Sequence, residues 1–211
     1  MFLTRKTTAL LLPVITAVLV SLPSFAATTI VDKSFESEPH QMVQDVTAKV
    51  IDAVESGNLD PAKDPGAFVE KLSEILDPVV AFEFIARQVM GNHAKSVSAE
   101  QVVQFSESFK LGLVSTYGKG VSGFEDLTIT VLPPEGEAAG KRVSVIQELK
   151  TVAGTNQVTY IMAQNKQKQW KMINIYLNGV NLGSTFRTQF AATVKKNQGD
   201  VLKTINEWGK S

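Results

Sequence analysis

Two histidines supply the only imidazole side chains in the sequence, and neither stands where a pocket could tune its pKa. His40 lies in a polar stretch near the start, and His93 lies in a short polar loop. Hydrolytic chemistry needs a base beside a nucleophile. The acidic pairs at residues 125–126 and 135–137 fall at a strand start and in a turn, where solvated surface explains them. The sequence therefore predicts no catalytic set and favours a protein that is not an enzyme.

A glycine-rich stretch at residues 118–123 matches the letters of the dinucleotide-binding motif G-x-G-x-x-G. That motif binds phosphate only when it follows a strand and opens a helix. Here a predicted helix precedes it and a predicted strand follows, so the pattern is typical of a helix end. The chain also has no cysteine and only two histidines, which excludes thiolate metal sites and disfavours others. We expect neither a cofactor nor a bound metal.

The first 26 residues have the three parts of a cleavable Sec signal peptide. Arg5 and Lys6 precede an apolar run over residues 9–22, and the small side chain of Ala26 suits signal peptidase. An uncleaved anchor is the alternative, but a spanning helix needs about twenty apolar residues. The interpretation predicts a soluble protein of the Gram-negative periplasm. Residues 27–211 would then form a single domain, with a flexible lead-in over residues 27–40.

Net charge excludes nucleic acid as an expected partner. The full sequence holds 21 basic and 21 acidic residues, so it has no excess of positive charge to follow a phosphate backbone. Because the chain has no disulfide to stabilise it, its stability must come from a buried apolar core.

Helical and strand periods divide the predicted domain into three parts. Helices are predicted first, over residues 39–57, from Asp64-Pro65, from Asp77-Pro78 to about Met90, and from a capping box at residues 98–101. Four strands follow, at residues 127–131, 143–152, 157–164 and 169–178. Helical spacing returns from Leu182 to Val194 and after Asp200. Short connections between the strands favour an antiparallel meander, so the fold class is α+β with a four-stranded antiparallel meander between helices.

Large apolar residues are grouped on one face of the predicted sheet. Alternation places Trp170, Met172, Asn174 and Tyr176 on one side of the last strand. The neighbouring strand has a similar set at Val158, Tyr160 and Met162. From periodicity alone, an ordinary core and a ligand cavity both remain open.

Four stretches resemble the periplasmic phospholipid-binding component of the Mla lipid-transport system, also called the toluene-tolerance auxiliary family. The residues that carry the resemblance are Asp77-Pro78 with Phe82-Glu83, Ile85-Ala86-Arg87 and Met90-Gly91; Ser98 and Gln101 with Phe105 and Phe109; Trp170-Lys171-Met172 with Gly179-Val180; and Phe186-Arg187 with Phe190, Gly199-Asp200 and Leu202. Their order and spacing span roughly residues 60–208.

The resemblance implies a sheet of the NTF2-like or cystatin-like kind, curled around a lipid cavity. It implies a phospholipid carrier with two membrane partners. One is an inner-membrane Mla ABC transporter that contains an MCE-domain protein, and the other is an outer-membrane lipoprotein–porin complex. By passing lipid between them, the carrier would maintain lipid asymmetry of the outer membrane. A non-carrying adaptor of the transporter is an alternative, as is an enzyme. The expected lipid-binding residues are Phe84, Phe105, Phe109, Tyr117, Ile129, Val145, Tyr160, Met162, Trp170, Met172, Tyr176 and Phe186.

Overall fold

The computed structural model describes residues 29–31, 37–56, 64–117, 126–134 and 140–209. The predicted signal peptide, the glycine-rich stretch at residues 118–123 and the acidic turn at residues 135–137 lie outside the described residues. Within the stretch 27–40, which the sequence marked as a lead-in, Thr29–Val31 forms a strand and the first helix already begins at Glu38.

Six α-helices and six strands make up the described part of the chain. The helices are α1 (Glu38–Glu55), α2 (Pro65–Leu76), α3 (Phe82–Met90), α4 (Ala99–Tyr117), α5 (Leu182–Lys196) and α6 (Val201–Glu207), with a 3-10 helix at Gly91–Lys95. The strands are β1 (Thr29–Val31), β2 (Thr128–Val131), β3 (Arg142–Thr151), β4 (Gly154–Gln164), β5 (Trp170–Leu177) and β6 (Val180–Asn181). The α+β class is confirmed.

The strands form one open sheet in the order β1-β2-β3-β4-β5-β6. The antiparallel pairs run from β2 to β6, while β1 pairs parallel with β2. The predicted four-stranded meander corresponds to β2–β5, so the predicted count of four was too low. The prediction missed β1 and β6, because strands of three and two residues are too short to show a period. The expected relation to NTF2-like or cystatin-like folds stays a prediction.

A β-bulge interrupts the pairing of β4 with β5. Ile161 pairs with Asn174, but Met162 pairs with Met172, so Ile173 is the extra residue. Because an extra residue reverses which side chains face inward, the alternation predicted across all of β5 does not hold. Beyond the bulge Ile175 shares a face with Tyr160, and Tyr176 lies on the opposite face.

Helix starts agree with the sequence signals at α2, α4 and α6, where Asp200 is the N-cap, and differ at α3. Asp64 caps α2 by accepting a hydrogen bond from the backbone N–H of Ala67 at 2.9 Å. Ser98 and Gln101 form the reciprocal bonds of a capping box at α4. The start predicted at Asp77 was wrong, because the turn after α2 still includes Asp77 and α3 begins only at Phe82.

The intervening residues Val79–Ala81 explain that difference. The backbone N–H of Met172 donates to the carbonyl of Val79, and the N–H of Ala81 donates to the carbonyl of Met172. This short extended segment therefore covers part of the edge of β5, where unpaired backbone groups would otherwise lie. An extended segment cannot also be the first turn of a helix.

Two of the buried apolar clusters contain most of the large core side chains. The helices α3, α4, α5 and α6 pack around Phe105, Phe109 and Phe190, whose rings approach one another to 4.8–5.8 Å between centroids. The inner face of the sheet carries a separate cluster with Val145, Met162 and Trp170. Among the described residues no helix is long and apolar enough to span a bilayer.

Candidate functional site: an apolar cavity between sheet and helices

A cavity of about 460 Å³ lies between the inner face of the sheet and the helices α1, α2, α4 and α5. This volume falls within the range of small-molecule sites in proteins. Its wall is almost entirely aliphatic and aromatic. The lining residues include Met42, Val43, Val46, Val50, Ile51, Leu72, Leu76, Val79, Val80, Ile85, Phe109, Leu113, Val114, Ile129, Leu149, Val158, Tyr160, Met162, Met172, Ile175, Leu177, Leu182 and Phe186.

Strand pairing places the sheet side of this wall in rows. Residues that pair across antiparallel strands point to the same face. The rows of β4 and β5 are Val158 with Leu177, Tyr160 with Ile175, and Met162 with Met172, and all six of these residues line the cavity. Without the bulge at Ile173, Ile175 and Leu177 would face outward. The bulge therefore builds one side of the wall.

Six of the twelve residues expected to bind lipid lie on this wall, and five do not. The six are Phe109, Ile129, Tyr160, Met162, Met172 and Phe186. The five are Phe84, Phe105, Val145, Trp170 and Tyr176. The remaining residue, Tyr117, ends α4, and its side chain lies outside the described part of the chain.

Each of the five has a structural reason. Phe84 is on the solvent side of α3 and is 41% exposed. Phe105 is one turn before Phe109, but its ring packs between Phe190 and Trp208 inside the helical region. Val145 and Trp170 are buried in the same cluster as the lining residue Met162, but they do not reach the cavity themselves. Tyr176 has been turned to the opposite face by the bulge.

The sequence prediction missed most of the helical wall. Val43, Val46 and Val50 on α1 and Leu72 and Leu76 on α2 all line the cavity. Their helical spacing showed that each helix has an apolar side. It did not show that these sides face a space rather than a neighbouring element, because that depends on how the helices are placed across the sheet.

One hydrogen-bonded chain of polar groups crosses the wall. The Tyr160 hydroxyl donates to Oε1 of Gln147, and Nε2 of Gln147 donates to Oγ1 of Thr47, each at 2.8 Å. The Thr47 hydroxyl in turn donates to the carbonyl of Val43 at 2.8 Å. The chain ties β3 and β4 to α1. Burial raises the pKa of Tyr160 to about 12, so this phenol is neutral at physiological pH.

The cavity lining reaches solvent at one end of the sheet. Leu177 is 38% exposed and is the most exposed of the described lining residues. Close to it along the wall, the Asn174 side chain accepts from the backbone N–H of Gly183 at 3.2 Å and donates to Asn181 at 3.1 Å. A Cβ on Gly183 would lie 2.6 Å from Oδ1 of Asn174, so the start of α5 fits tightly against this part of β5.

Charged groups are kept outside the wall. Tyr160 is the one titratable side chain among the described lining residues. His40 is buried near the start of α1, where burial lowers its pKa, and the His93 ring lies 6.1 Å from that of Phe190. Neither histidine lines the cavity. Among the described residues no group of acidic or histidine side chains could hold a metal ion.

A smaller pocket of about 190 Å³ lies outside the cavity, between α3 and α4. Beside it the buried ammonium group of Lys110 contacts Glu107 at 2.9 Å and Asp77 at 3.1 Å. Burial alone would lower the pKa of Lys110, but the hydrogen bonds and charges of these two carboxylates outweigh it and raise that pKa above its ordinary value. The ion pair between Lys110 and Asp77 joins the end of α2 to α4, whereas the pair with Glu107 lies within α4.

Comparison with known proteins identifies the family. The family model described as "MlaC protein" matches residues 44–210. The chain belongs to this family. It is 33% identical over 174 residues to the toluene tolerance protein ttg2D of Pseudomonas putida, covering 81% of this chain and 79% of that protein. It is 23% identical over 180 residues to the intermembrane phospholipid transport system binding protein MlaC of Haemophilus influenzae, covering 80% of each.

A solved structure shares the fold of this MlaC-family chain. It is the phospholipid-binding protein from Ralstonia solanacearum, determined in complex with a phospholipid. The TM-score is 0.71 at 21% sequence identity, and the match covers 82% of this chain and 98% of that one. The resemblance inferred from four short stretches of sequence is thus confirmed at the level of family, and the α+β fold is that of a known phospholipid-binding protein.

Proposed function

We propose that this protein is a phospholipid carrier of an Mla-type transport system, working in the periplasm after removal of residues 1–26 as a signal peptide. The observation that carries the proposal is the cavity, whose wall is apolar on both the sheet side and the helical side. Family membership and the bound phospholipid of the Ralstonia neighbour support it.

The energetics of lipid transfer require such a cavity. Each methylene exposed to water costs about 0.8 kcal/mol, so two long acyl chains cost on the order of 20 kcal/mol. A carrier must therefore hold the tails against apolar side chains and leave the polar head at the opening. An aliphatic wall discriminates weakly between chain lengths, so acyl chains of different lengths should be accepted.

The cost of exposing acyl chains to water also determines how the lipid must be transferred to an acceptor. Release of the lipid into water would expose its acyl chains and cost the free energy that the apolar wall had saved. The carrier must therefore release the lipid while it is docked to an acceptor. We propose that the partners are the MCE-domain protein of an inner-membrane ABC transporter and an outer-membrane lipoprotein–porin complex. Exchange between them would maintain lipid asymmetry of the outer membrane. The Haemophilus influenzae relative, a binding protein of an intermembrane phospholipid transport system, supports this assignment.

A matched pair of variants tests the lipid site. Ile175 and Ile161 are both half-buried, on neighbouring strands, but Ile175 lines the cavity and Ile161 is on the opposite face of the sheet. Ile175→Asp would place a carboxylate beside the acyl chains. An unpaired charge is strongly unfavourable in such an apolar cavity, so the lipid should bind much more weakly. Ile161→Asp introduces the same carboxylate outside the cavity.

Native mass spectrometry after mild purification provides the measurement. We expect a co-purified phospholipid in the wild type and in Ile161→Asp, and little or none in Ile175→Asp, with circular dichroism showing that both variants are folded. A wild-type protein that carries no lipid and takes none from liposomes would refute the carrier function. A transporter-stimulating protein with that property would instead be an adaptor.

A further inference from the structure

The wall of the cavity contains one fully buried amide, and its hydrogen-bonding capacity is only partly used. Gln147 is 3% exposed and lines the cavity among aliphatic neighbours. A primary amide has two N–H donors. One donates to Thr47, and the second has no acceptor among the residues that the structure describes. An unpaired N–H in an apolar site is costly, so an occupant that offers an acceptor gains by binding there.

The orientation of this amide is fixed by its neighbours. The Thr47 hydroxyl gives its only hydrogen to the carbonyl of Val43, so Thr47 can only accept from Gln147. The NH2 group must therefore face Thr47, and the oxygen must face the Tyr160 hydroxyl. The oxygen of the amide is thus occupied by a donor, and what Gln147 can still offer to a ligand is a hydrogen.

The position of Gln147 matches the part of a phospholipid that lies between head and tails. Gln147 pairs with Val158, and Val158 pairs with Leu177, where the lining reaches solvent. Two strand spacings separate Gln147 from Leu177, about 10 Å. The next rows inward, Tyr160 with Ile175 and Met162 with Met172, are suited to hydrocarbon.

Only one kind of group on the buried part of a diacyl phospholipid accepts a hydrogen bond. Methylene chains offer no acceptor, whereas each acyl ester has a carbonyl oxygen. We propose that the second N–H of Gln147 donates to an acyl ester carbonyl of the bound lipid and so sets the depth of the lipid and selects ester-linked over ether-linked chains. The inference rests on the proposed carrier function and adds a specificity-determining residue to it.

A competition between two lipids tests this without any mutation. Lipid-free protein is incubated with vesicles that hold equal amounts of dioleoyl phosphatidylcholine and its dialkyl ether analogue, and the bound lipids are extracted and counted by mass spectrometry. The ether analogue lacks the carbonyl oxygen and keeps only the ether oxygen, which lies closer to the glycerol. We therefore expect the ester lipid to be enriched in the wild type, up to the about fivefold factor that one net neutral hydrogen bond gives. Equal loading of the two lipids would overturn the role of Gln147 and leave the carrier function standing. Loading of neither lipid would overturn both.

Two variants assign the preference to the amide hydrogen. Gln147→Leu removes the donor and keeps a similar volume, so the ester-to-ether ratio should fall to about one. Gln157→Leu makes the same change at an exposed residue of β4 that does not line the cavity, so the wild-type preference should persist. A preference that survives in Gln147→Leu, or that disappears in both variants, would contradict the assignment.

Discussion

The hydrogen bond between Tyr160 and Gln147 should contribute measurably to the stability of the fold, and Tyr160→Phe removes only its hydroxyl. The bond is 2.8 Å long, and Gln147 is buried in the cavity wall. After the substitution Oε1 of Gln147 has no donor among the described residues. An aliphatic wall supplies no replacement, so the loss is larger than that of a hydrogen bond at the surface.

The expected loss of stability follows from leaving the Gln147 oxygen without a hydrogen-bond donor. Leaving one buried polar atom unsatisfied costs about 1–3 kcal/mol. For a domain of this size each kcal/mol lowers Tm by roughly 2–4 °C, so Tyr160→Phe should melt roughly 2–12 °C below the wild type. Bound lipid would stabilise the native state and mask part of the difference, so lipid-free protein must be compared.

Tyr176→Phe is the matched control, because Tyr176 lies on the next strand and also loses one hydroxyl. Its oxygen accepts from Nδ2 of Asn181 at 3.0 Å, and both residues are only half-buried, so water can replace the bond. Urea unfolding followed by circular dichroism should give a cost below about 0.5 kcal/mol for this variant. Equal stability of Tyr160→Phe and wild type would refute the view that the cavity wall withholds water from Gln147.

Three further predictions concern pH, the wall and a helix cap. Because the pKa of Tyr160 is raised to about 12 from 10.0, its contribution to the free energy of unfolding should be complete below pH 10 and be lost as pH rises towards 12, by about 3 kcal/mol at most. An ultraviolet titration in which no tyrosine ionises late would contradict this. Phe109→Ala should lower the free energy of unfolding by about 3–5 kcal/mol and reduce lipid loading, since Phe109 is 1% exposed and lines the cavity. The exposed Phe84 is the control, and Phe84→Ala should change stability and loading little. Equal effects of the two variants on thermal unfolding and lipid content would refute the assignment of these rings. Asp64→Ala should cost about 0.5–2 kcal/mol in urea unfolding through loss of the cap on Ala67, and Asp64→Asn should retain most of it.

Local sequence signals were enough to predict most of the helices and strands and the family. The alternation of Thr128–Val131 and the capping box at Ser98 depend on neighbours a few residues away, so they can be read from the chain. The family was recognised from short stretches such as Trp170-Lys171-Met172, and the family match confirms it. Phe109, Tyr160 and Met172 lie on the cavity wall as expected, because their apolar faces point to the same interior whether it is packed or hollow.

Only the tertiary structure decided where that interior is hollow. The bulge at Ile173 exchanges Tyr176 for Ile175 on the wall, and one extra residue in a strand leaves no periodic signal that distinguishes it from regular alternation. Phe105 and Phe109 are one turn apart on α4, yet one is in the helical core and the other borders the cavity, because the placement of α5 and α6 divides that face. Gln147 shows the same limit. Its partner Thr47 is one hundred residues away in sequence, and only the packing of α1 against the sheet places this polar strand residue on the wall of an apolar cavity.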